Sequence, residues 1–225
     1  MIRALLFDMD GLMFDTERMS EDSWQKIASQ QGFLLTPERM EQFRGSNIVR
    51  CRQLFQEWFG ASVAFDQLAA QCRAQVLSRV EAQGVPLKKG LMELLEYAKD
   101  HGIPAAIATS TIRPQASRYW ELAGILPYFS ASVCGDEVTQ GKPDPQIFLL
   151  AAQKLGVSPR ECLVLEDSPN GLRAGRAGNM YVGMVPDIAP ATRELREICD
   201  FVFADLSQVI PVLEKQRDGA PQANA

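Results

Sequence analysis

The chain has 225 residues, of which 46% are hydrophobic and 23% are charged, a composition that is typical of a globular protein with a sizeable core. Its formal net charge of -5 argues against nucleic acid or an anionic membrane surface as the main partner. Five scattered cysteines favour reduced thiols, the first residues lack a signal-peptide pattern, and no apolar stretch approaches the ~18 residues of a membrane span. We therefore expect a cytoplasmic protein without a membrane partner, with a monomer as the default state.

The first seventeen residues carry the strongest local signal. Ala4 to Phe7 is an unbroken apolar run too short for a helix, so it predicts a strand buried on both faces of a parallel sheet. The run leads directly into Asp8, Asp10 and Gly11. Two carboxylates at the mouth of a buried strand repel each other, and a cation removes that cost. Because Asp-x-Asp-Gly is also common in surface turns, both a cation site and a turn remain open at this point.

From Thr16 to about Gln83 the pattern is helical throughout. Two amphipathic faces end at Gly32 and Gly60, and the apolar residues of a third face are spaced four apart. That third face consists of Leu68, Cys72, Val76 and Val80. Since no strand-like run interrupts these helices, the pattern predicts an all-helical insert over residues 16–84, within a core formed by residues 1–15 and 85–225.

After Pro86, strand-like and helix-like segments alternate. The predicted strands are 103–108, 132–134, 163–165, 181–185 and 201–203. The predicted helices are 91–99, 114–123, 144–155, 170–177 and 206–215, and the small polar tail from Asp218 is expected to fray. Strict alternation implies an α/β fold with a doubly wound parallel sheet and right-handed crossovers.

Polar residues follow four of the predicted strands, at the sheet edge where ligands bind in open α/β folds. They are Asp8 with Asp10, Thr109 with Ser110, Lys142 after its short strand, and Glu166 with Asp167. Each group alone has an ordinary structural explanation, such as a helix cap, a solvated lysine or a loop charge pair. Their convergence at one edge favours a catalytic site.

These residue types suit phosphoryl transfer, in which positioning and charge neutralisation do most of the catalysis. Asp8 would attack phosphorus to give an aspartyl-phosphate, and Asp10 would protonate the leaving oxygen and then activate water. Thr109 and the backbone N–H of Ser110 would bind phosphoryl oxygens. Lys142 would neutralise the charge that Asp8 shares with the transferring group.

The oxygen-only ligand set predicts Mg²⁺ as the cofactor, because no His or Cys stands near Asp8 and Asp10 in the sequence. Asp8, the backbone carbonyl of Asp10, and Asp167 would hold the ion. Glu166 would contribute either directly or through a water molecule.

Four segments in a fixed order resemble the haloacid dehalogenase superfamily of phosphatases, in the branch that includes β-phosphoglucomutase. The segments are Phe-Asp-Met-Asp-Gly-Leu-Met-Phe-Asp-Thr-Glu at 7–17, Ala-Thr-Ser at 108–110, Gly-Lys-Pro-Asp-Pro at 141–145 and Leu-Glu-Asp-Ser-Pro-Asn-Gly at 165–171. The resemblance spans nearly the whole chain and implies a Rossmann-like core with a helical cap inserted after the first strand. It implies the catalytic and metal roles given above for Asp8, Asp10, Thr109, Lys142 and Asp167. It also places a hinge at Asp15 and Thr16.

The dehalogenases and mutases of this superfamily differ from each other in motif residues that can be compared with those of this chain. Dehalogenases lack the second aspartate of the first motif and need no Mg²⁺, so Asp10 argues against that activity. Mutases carry a His in the first cap helix, where this chain has Ser20, and a Lys-Gly-x-Ser-Arg run in the cap loop. This chain has Phe-Arg-Gly-Ser-Asn-Ile there, at 43–48, with Arg44 as the cap candidate for substrate binding.

A mutase must recapture a doubly phosphorylated intermediate, which needs cationic groups in the cap. The smaller number of such groups here favours a Mg²⁺-dependent phosphomonoester hydrolase that acts on a small phosphorylated metabolite, with a sugar phosphate as the leading choice. A phosphosugar mutase and an inactive phospholigand-binding protein remain the alternatives.

Overall fold

The computed structural model describes residues 1–43, 46 and 48–218. Arg44 and the tail beyond residue 218, both subjects of predictions above, lie outside these residues. Within them, six parallel strands form one sheet in the order β3-β2-β1-β4-β5-β6. The strands are β1 Ala4–Phe7, β2 Ala105–Ala108, β3 Ala131–Val133, β4 Cys162–Glu166, β5 Tyr181–Met184 and β6 Phe201–Val202. This order confirms the predicted Rossmann-like, doubly wound α/β sheet.

Helices surround the sheet and fill the segment between β1 and the rest of the core. The helices of that segment are α1 Thr16–Gln30, α2 Pro37–Phe43, α3 Ile48–Phe59 and α4 Phe65–Gln83. The later helices are α5 Leu91–Asp100, α6 Arg113–Ala123, α7 Gln146–Leu155, α8 Pro169–Ala177, α9 Arg193–Ile198 and α10 Val209–Asp218. None of the helices in the described part of the chain is long and apolar enough to cross a membrane.

Burial on both faces of β1 follows from helices on both sides of the sheet. Leu5 and Phe7 point towards α5 and α6, where they share a core with Leu94 and Trp120. Leu6 points the other way, into a second core that includes Phe148 of α7. Successive side chains of a strand alternate between its faces, so a strand with helices on both sides must be apolar at every position.

The helical insert has an aromatic core of its own. The ring of Trp24 in α1 stacks on Phe65 of α4 at a centroid distance of 5.7 Å and meets Phe43 of α2 edge-on at 5.0 Å. Phe55 of α3 lies within 6.0 Å of all three rings and is fully buried. Aromatic side chains bury large apolar areas, so this cluster holds the four helices together. The insert limits of 16–84 stay a prediction.

Helix α9 was not expected from the sequence, and α2 lies in the predicted helical insert without an apolar face of its own in that prediction. Seven-residue α2 buries only Met40 and Phe43, and six-residue α9 buries only Leu195, so neither repeats an apolar period. At α9 the hydroxyl of Thr192 caps the helix by accepting a bond from the N–H of Leu195, at 3.3 Å.

Several predicted boundaries also shift by one to three residues, and two of these shifts have a local cause. Strand β2 begins at residue 105 instead of 103. Pro104 has no N–H to donate to a neighbouring strand, so it marks the start of the regular ladder. The helix predicted from residue 144 begins at Gln146, and the carboxylate of Asp144 accepts a bond from the N–H of Gln146 at 2.9 Å.

Candidate active site

The site lies at the carboxyl ends of the central strands, where the strand order reverses. Strand β1 pairs with β2 on one side and β4 on the other, so Asp8 after β1 lies between Thr109 after β2 and Glu166 at the end of β4. This is the position at which doubly wound sheets bind ligands.

Lys142 joins these strand ends through its ammonium group. Its Nζ donates to Oδ1 of Asp8 at 2.5 Å, to Oε1 of Glu166 at 2.7 Å and to the carbonyl of Ala108 at 3.0 Å. An ammonium group has three N–H donors, so all of them are used within the protein. Lys142 is 5% exposed, and such a charge is stable inside a protein only when it is paired in this way.

Glu166 is held from both ends of its carboxylate. Besides the bond from Lys142 to Oε1, its Oε2 accepts bonds from the N–H of Asp167 and from the N–H and hydroxyl of Ser168, at 2.9–3.0 Å. A side chain at Gly171 would overlap the Glu166 carboxylate, so this position requires glycine. Glu166 is therefore fixed beside Asp8 and Asp167.

Asp8, Glu166 and Asp167 form a buried acidic cluster that could hold a metal ion. One carboxylate oxygen from each lies within 4.8 Å of the others. Oδ1 of Asp167 is buried and has no hydrogen-bond partner in the described structure, which leaves a ligand position open. Gly11, at a φ of 85°, leaves room for the Asp167 carboxylate that any side chain at residue 11 would overlap. All the donors are oxygen atoms, so the residues fit a hard cation.

The pKa values of these groups reflect their burial. Burial raises the pKa of Asp8 to about 8; Lys142 opposes this shift, and Glu166 adds to it. Burial also raises the pKa of Asp167 well above its usual range, reinforced by Glu166 and Asp8. Burial alone would lower the pKa of Lys142, but the two carboxylates outweigh it and the net shift is upward. The cluster thus favours either bound protons or a bound cation.

Asp10 is held by two hydroxyl groups. Thr16 Oγ1, at the start of α1, donates to Asp10 Oδ1 at 2.5 Å, and Thr111 Oγ1 donates to Oδ2 at 2.6 Å. Burial raises the pKa of Asp10, while the bonds from Thr111 and Thr16 partly offset that shift. A raised pKa favours the protonated carboxyl group that a general acid needs.

The segment after β2 turns around the hydroxyl of Thr109. Its Oγ1 accepts a bond from the N–H of Thr111 at 3.1 Å, and Thr109 is 1% exposed. The next residue, Ser110, is half-buried and lines the same cavity. The sequence analysis missed Thr111 as a partner of Asp10, although the Thr-Ser-Thr run at this strand end was a signal for it.

A cavity of about 240 Å³ lies above these residues. We call Asp8, Asp10, Thr109, Lys142 and Asp167 its floor. Its roof comprises the cavity-lining residues of α1 to α4, among them Ser20, Trp24, Phe65 and Arg73. The volume is below the ~300–1,000 Å³ of sites for drug-sized molecules, so it suits a small metabolite.

The predicted site residues described by the structure thus meet at one place. Asp8, Asp10, Thr109, Ser110, Lys142 and Asp167 line the cavity, and Glu166 lies beneath it, bonded to Lys142. Arg44 lies outside the described residues. The sequence analysis missed Asp187, which lies in the loop after β5 and whose buried side chain accepts bonds from Arg18 and Lys88. A Pro-Asp pair just after a strand end at this same edge was the available signal.

Comparison with known proteins identifies the family. The model of haloacid dehalogenase-like hydrolases matches residues 2–179. Hexitol phosphatase A of Escherichia coli K12 is 35% identical over 219 residues, covering 96% of each chain. Fructose-1-phosphate phosphatase YqaB of the same organism is 33% identical over 179 residues, covering 79% of this chain and 93% of that protein.

Solved structures agree on the fold. CbbY from Rhodobacter sphaeroides, in complex with phosphate, has a TM-score of 0.81 at 24% identity and covers 93% of this chain and 96% of its own. β-Phosphoglucomutase from Clostridium difficile has a TM-score of 0.82 at 22% identity, with 97% and 98% covered. The chain therefore belongs to the haloacid dehalogenase-like hydrolases, and its phosphatase relatives place it among the phosphoric monoester hydrolases of that family.

Proposed function

We propose that this protein is a Mg²⁺-dependent phosphatase that hydrolyses a small phosphorylated metabolite, with a sugar phosphate as the leading class, through an aspartyl-phosphate on Asp8. The observation that carries the proposal is the buried cluster in which Asp8 contacts Lys142 and lies within 4.8 Å of Asp167, whose Oδ1 has no partner in the described structure. A nucleophilic carboxylate, a fixed cation and an open ligand position are the parts that phosphoryl transfer requires.

Mg²⁺ would be held by Asp8, Asp167 and the backbone carbonyl of Asp10, with Glu166 contributing directly or through water. When bound, it would neutralise negative charge on the phosphoryl group so that a carboxylate can approach it. Lys142 is already bonded to Asp8, opposes the rise in its pKa and would orient that carboxylate. Thr109 and Ser110 would bind phosphoryl oxygens from the other side.

The chemistry needs two proton transfers at Asp10. An oxygen of Asp8 forms a bond to phosphorus, the bond from phosphorus to the leaving oxygen breaks, and protonated Asp10 gives its proton to that oxygen. Water then attacks phosphorus and gives a proton back to Asp10, which releases phosphate and restores the Asp8 carboxylate. The raised pKa of Asp10 supports the first transfer.

The named relatives support a sugar-phosphate substrate. Hexitol phosphatase A and Fructose-1-phosphate phosphatase YqaB are named for phosphorylated polyols or sugars, and both exceed 30% identity to this chain. Hydrolysis rather than mutase chemistry is supported by the roof, because Ser20 of α1 lines the cavity at the position where the mutases carry a His. The single His of the sequence, His101, is exposed at the end of α5 and bonds to the carbonyl of Tyr97. A monomer and a cytoplasmic location stay predictions.

The test is phosphate release from p-nitrophenyl phosphate and from a panel of sugar and polyol monophosphates. We expect release by the wild-type protein that stops in EDTA, returns with Mg²⁺, and falls on the order of 10⁴-fold or more in Asp8→Asn. Activity that persists in Asp8→Asn would overturn the mechanism. Efficient conversion of β-glucose 1-phosphate to glucose 6-phosphate with a bisphosphate primer would establish the mutase instead.

A further inference from the structure

The two aspartates of the first motif have partners of different chemical types. The carboxylate of Asp10 accepts a bond from the hydroxyl of Thr16 at 2.5 Å and from that of Thr111 at 2.6 Å. A hydroxyl group can donate to an ionised carboxylate and can accept from a protonated one. The ammonium of Lys142, which bonds to Asp8, has donors only. The partners of Asp10 therefore suit a group that alternately gives and takes a proton.

The two hydroxyl groups on Asp10 come from different parts of the molecule. Thr16 is the first residue of α1 in the helical insert and bonds to Oδ1, whereas Thr111 follows β2 of the sheet and bonds to Oδ2. The terminal torsion of an aspartate is broad, so a bond to one oxygen alone does not fix the plane of the carboxyl group. Because Thr16 belongs to the insert, Thr111 supplies the restraint that comes from the sheet.

Thr111 is itself held by its backbone. Its N–H donates to Oγ1 of Thr109 at 3.1 Å, and its carbonyl accepts a bond from the N–H of Gly135 at 3.0 Å. A side chain at Gly135 would overlap the carbonyl oxygen of Ser110, so the loop after β3 can approach this turn only with glycine at that position. Threonine is also β-branched, which restricts its χ1 angle. The direction of the Thr111 hydroxyl is therefore set by a fixed segment of backbone.

The bond to Asp10 also limits what else the Thr111 side chain can do. Thr111 and Asp10 are both half-buried and both line the cavity. A hydroxyl group has one hydrogen to donate, and that of Thr111 is donated to Asp10, so none is left for a phosphoryl oxygen. The side chain of Thr111 is therefore placed to act on the reaction through Asp10.

We propose that Thr111 is a positioning residue for Asp10, and that its hydroxyl group holds the carboxyl group in the orientation that protonates the leaving oxygen. This inference rests on the proposed phosphatase function and makes the contribution of Thr111 depend on the leaving group. The alkoxide of a sugar is a poor leaving group unless it receives a proton, whereas p-nitrophenolate leaves readily as an anion. Thr111 should therefore be important for sugar phosphates and much less important for p-nitrophenyl phosphate.

A matched pair of substrates isolates the need for the proton. Phenyl phosphate and p-nitrophenyl phosphate differ by one nitro group, which stabilises the departing phenolate. The value of kcat/KM includes the step in which the leaving group departs, and it is measured in Mg²⁺ for both. General acid catalysis contributes about 10²- to 10⁴-fold, and a displaced acid loses part of that. We expect Thr111→Val to lower kcat/KM about tenfold or more for phenyl phosphate and for fructose 1-phosphate, and less than threefold for p-nitrophenyl phosphate.

Two further variants separate positioning from stability. Thr111→Ser keeps the hydroxyl group and should retain the wild-type ratio between the two aryl phosphates. Thr192→Val makes the same change of side chain at the start of α9, where it removes the bond that the hydroxyl accepts from the N–H of Leu195, outside the cavity lining. It should lower thermal stability and leave the ratio unchanged. Thermal unfolding of each variant checks the fold, and Thr111→Ala replaces Thr111→Val if the latter does not fold.

Three results would overturn the inference. The first is an equal loss for phenyl phosphate and p-nitrophenyl phosphate in Thr111→Val, which would mean that Thr111 serves the phosphoryl group or the fold. The second is no loss for either substrate, and the third is a folded Thr111→Ser that behaves like Thr111→Val. Phosphate release that is absent from every substrate in the wild type, or independent of Asp8, would instead overturn the proposed function on which the inference depends.

Discussion

The floor and the roof of the cavity are built in opposite ways. On the floor, Lys142 is bonded to Asp8 and Glu166, and Asp10 is bonded to Thr16 and Thr111. In the roof, aromatic rings lie beside aliphatic and polar side chains, and no hydrogen bond joins the guanidinium of Arg73 to a described residue. The polar groups of the floor are thus bonded to one another and leave one ligand position open, at Oδ1 of Asp167. In the roof, by contrast, the N–H donors of Arg73 have no acceptor among the described residues.

This difference separates the residues that act on the phosphoryl group from the residues that select the substrate. A phosphoryl group is the same in every phosphoester, so the groups that act on it can be fixed by bonds within the protein. The leaving group varies between substrates, and its recognition needs groups that are left unbonded until the substrate arrives. Substitutions in the floor should therefore change stability and all activities together, while substitutions in the roof should change the ratio between substrates.

The largest effect on stability should come from Lys142→Met. Removing this ammonium leaves the buried carboxylates of Asp8 and Glu166 without their shared cation, and breaking a buried ion pair typically costs about 3–5 kcal/mol. Urea unfolding in EDTA measures the loss, and phosphate release should fall to the same extent for every substrate.

Lys154→Met is the control for that substitution. Lys154 also bonds to a carboxylate, that of Glu137, but its side chain is 37% exposed, so its loss should cost about 0–1 kcal/mol. Adding Glu166→Gln to Lys142→Met should recover part of the stability, because it removes one of the unpaired charges. Equal losses of unfolding free energy in Lys142→Met and Lys154→Met would mean that the buried ion pairs of the floor contribute no more to stability than an exposed ion pair.

Stability of the metal-free protein should decrease as pH rises. Burial raises the pKa of Asp8 from 3.8 to about 8, so between these values the folded state binds a proton that the unfolded state has released. The stabilising contribution is complete below about pH 4 and is lost as pH passes through about 8, and the raised pKa values of Asp10 and Asp167 act in the same direction.

The measurement is urea unfolding in EDTA at pH 5 and pH 8, for the wild type and Asp8→Asn. The decrease between the two pH values should be smaller in Asp8→Asn, because the amide does not titrate. Mg²⁺ competes with protons for the same oxygens, so it should stabilise the wild type more at pH 8 than at pH 5. A wild-type protein that gains stability with pH in EDTA would contradict this description of the floor.

The sequence predicted the floor far better than the contacts around it. Asp8, Thr109 and Glu166 each stand at the end of an apolar strand, and parallel strands bring their carboxyl ends to one edge, so local pattern and topology were sufficient. The bond from Thr111 to Asp10 depends on the turn after β2, and the position of Arg73 in the roof depends on how helices pack across the cavity. Such packing is set by residues distant in sequence, and no spacing rule encodes it.

Asp187 contacts residues near both the floor and the roof, and the pattern of polar residues at strand ends did not predict it. It follows β5, its side chain is 2% exposed, and its Oδ1 accepts bonds from Arg18 of α1 at 3.0 Å and from Lys88 at 2.7 Å. Arg18 lies just after the first connection between core and insert, and Lys88 lies just after the second. Asp187 therefore ties residues next to both connections to the loop after β5, and we expect it to help position the roof over the floor.

Among the predictions on Lys142, on pH and on Asp187, the substitution Asp187→Asn should have the smallest effect. Its effect on KM distinguishes a role in positioning the roof from a role in stability alone. The partner lysine and arginine are 21% and 57% exposed, so the loss of stability should fall between surface and buried pairs, at about 1–2 kcal/mol. A less constrained roof should raise KM a few-fold for sugar phosphates while kcat changes less, because the roof contacts the leaving group and the floor acts on the phosphoryl group. Glu81→Gln is the control, because Glu81 of α4 pairs with Arg118 of α6 across the same boundary while both side chains are 44% exposed. If Glu81→Gln raised KM as much as Asp187→Asn, cap attachment in general would set the roof, and the buried carboxylate would have no special part in it.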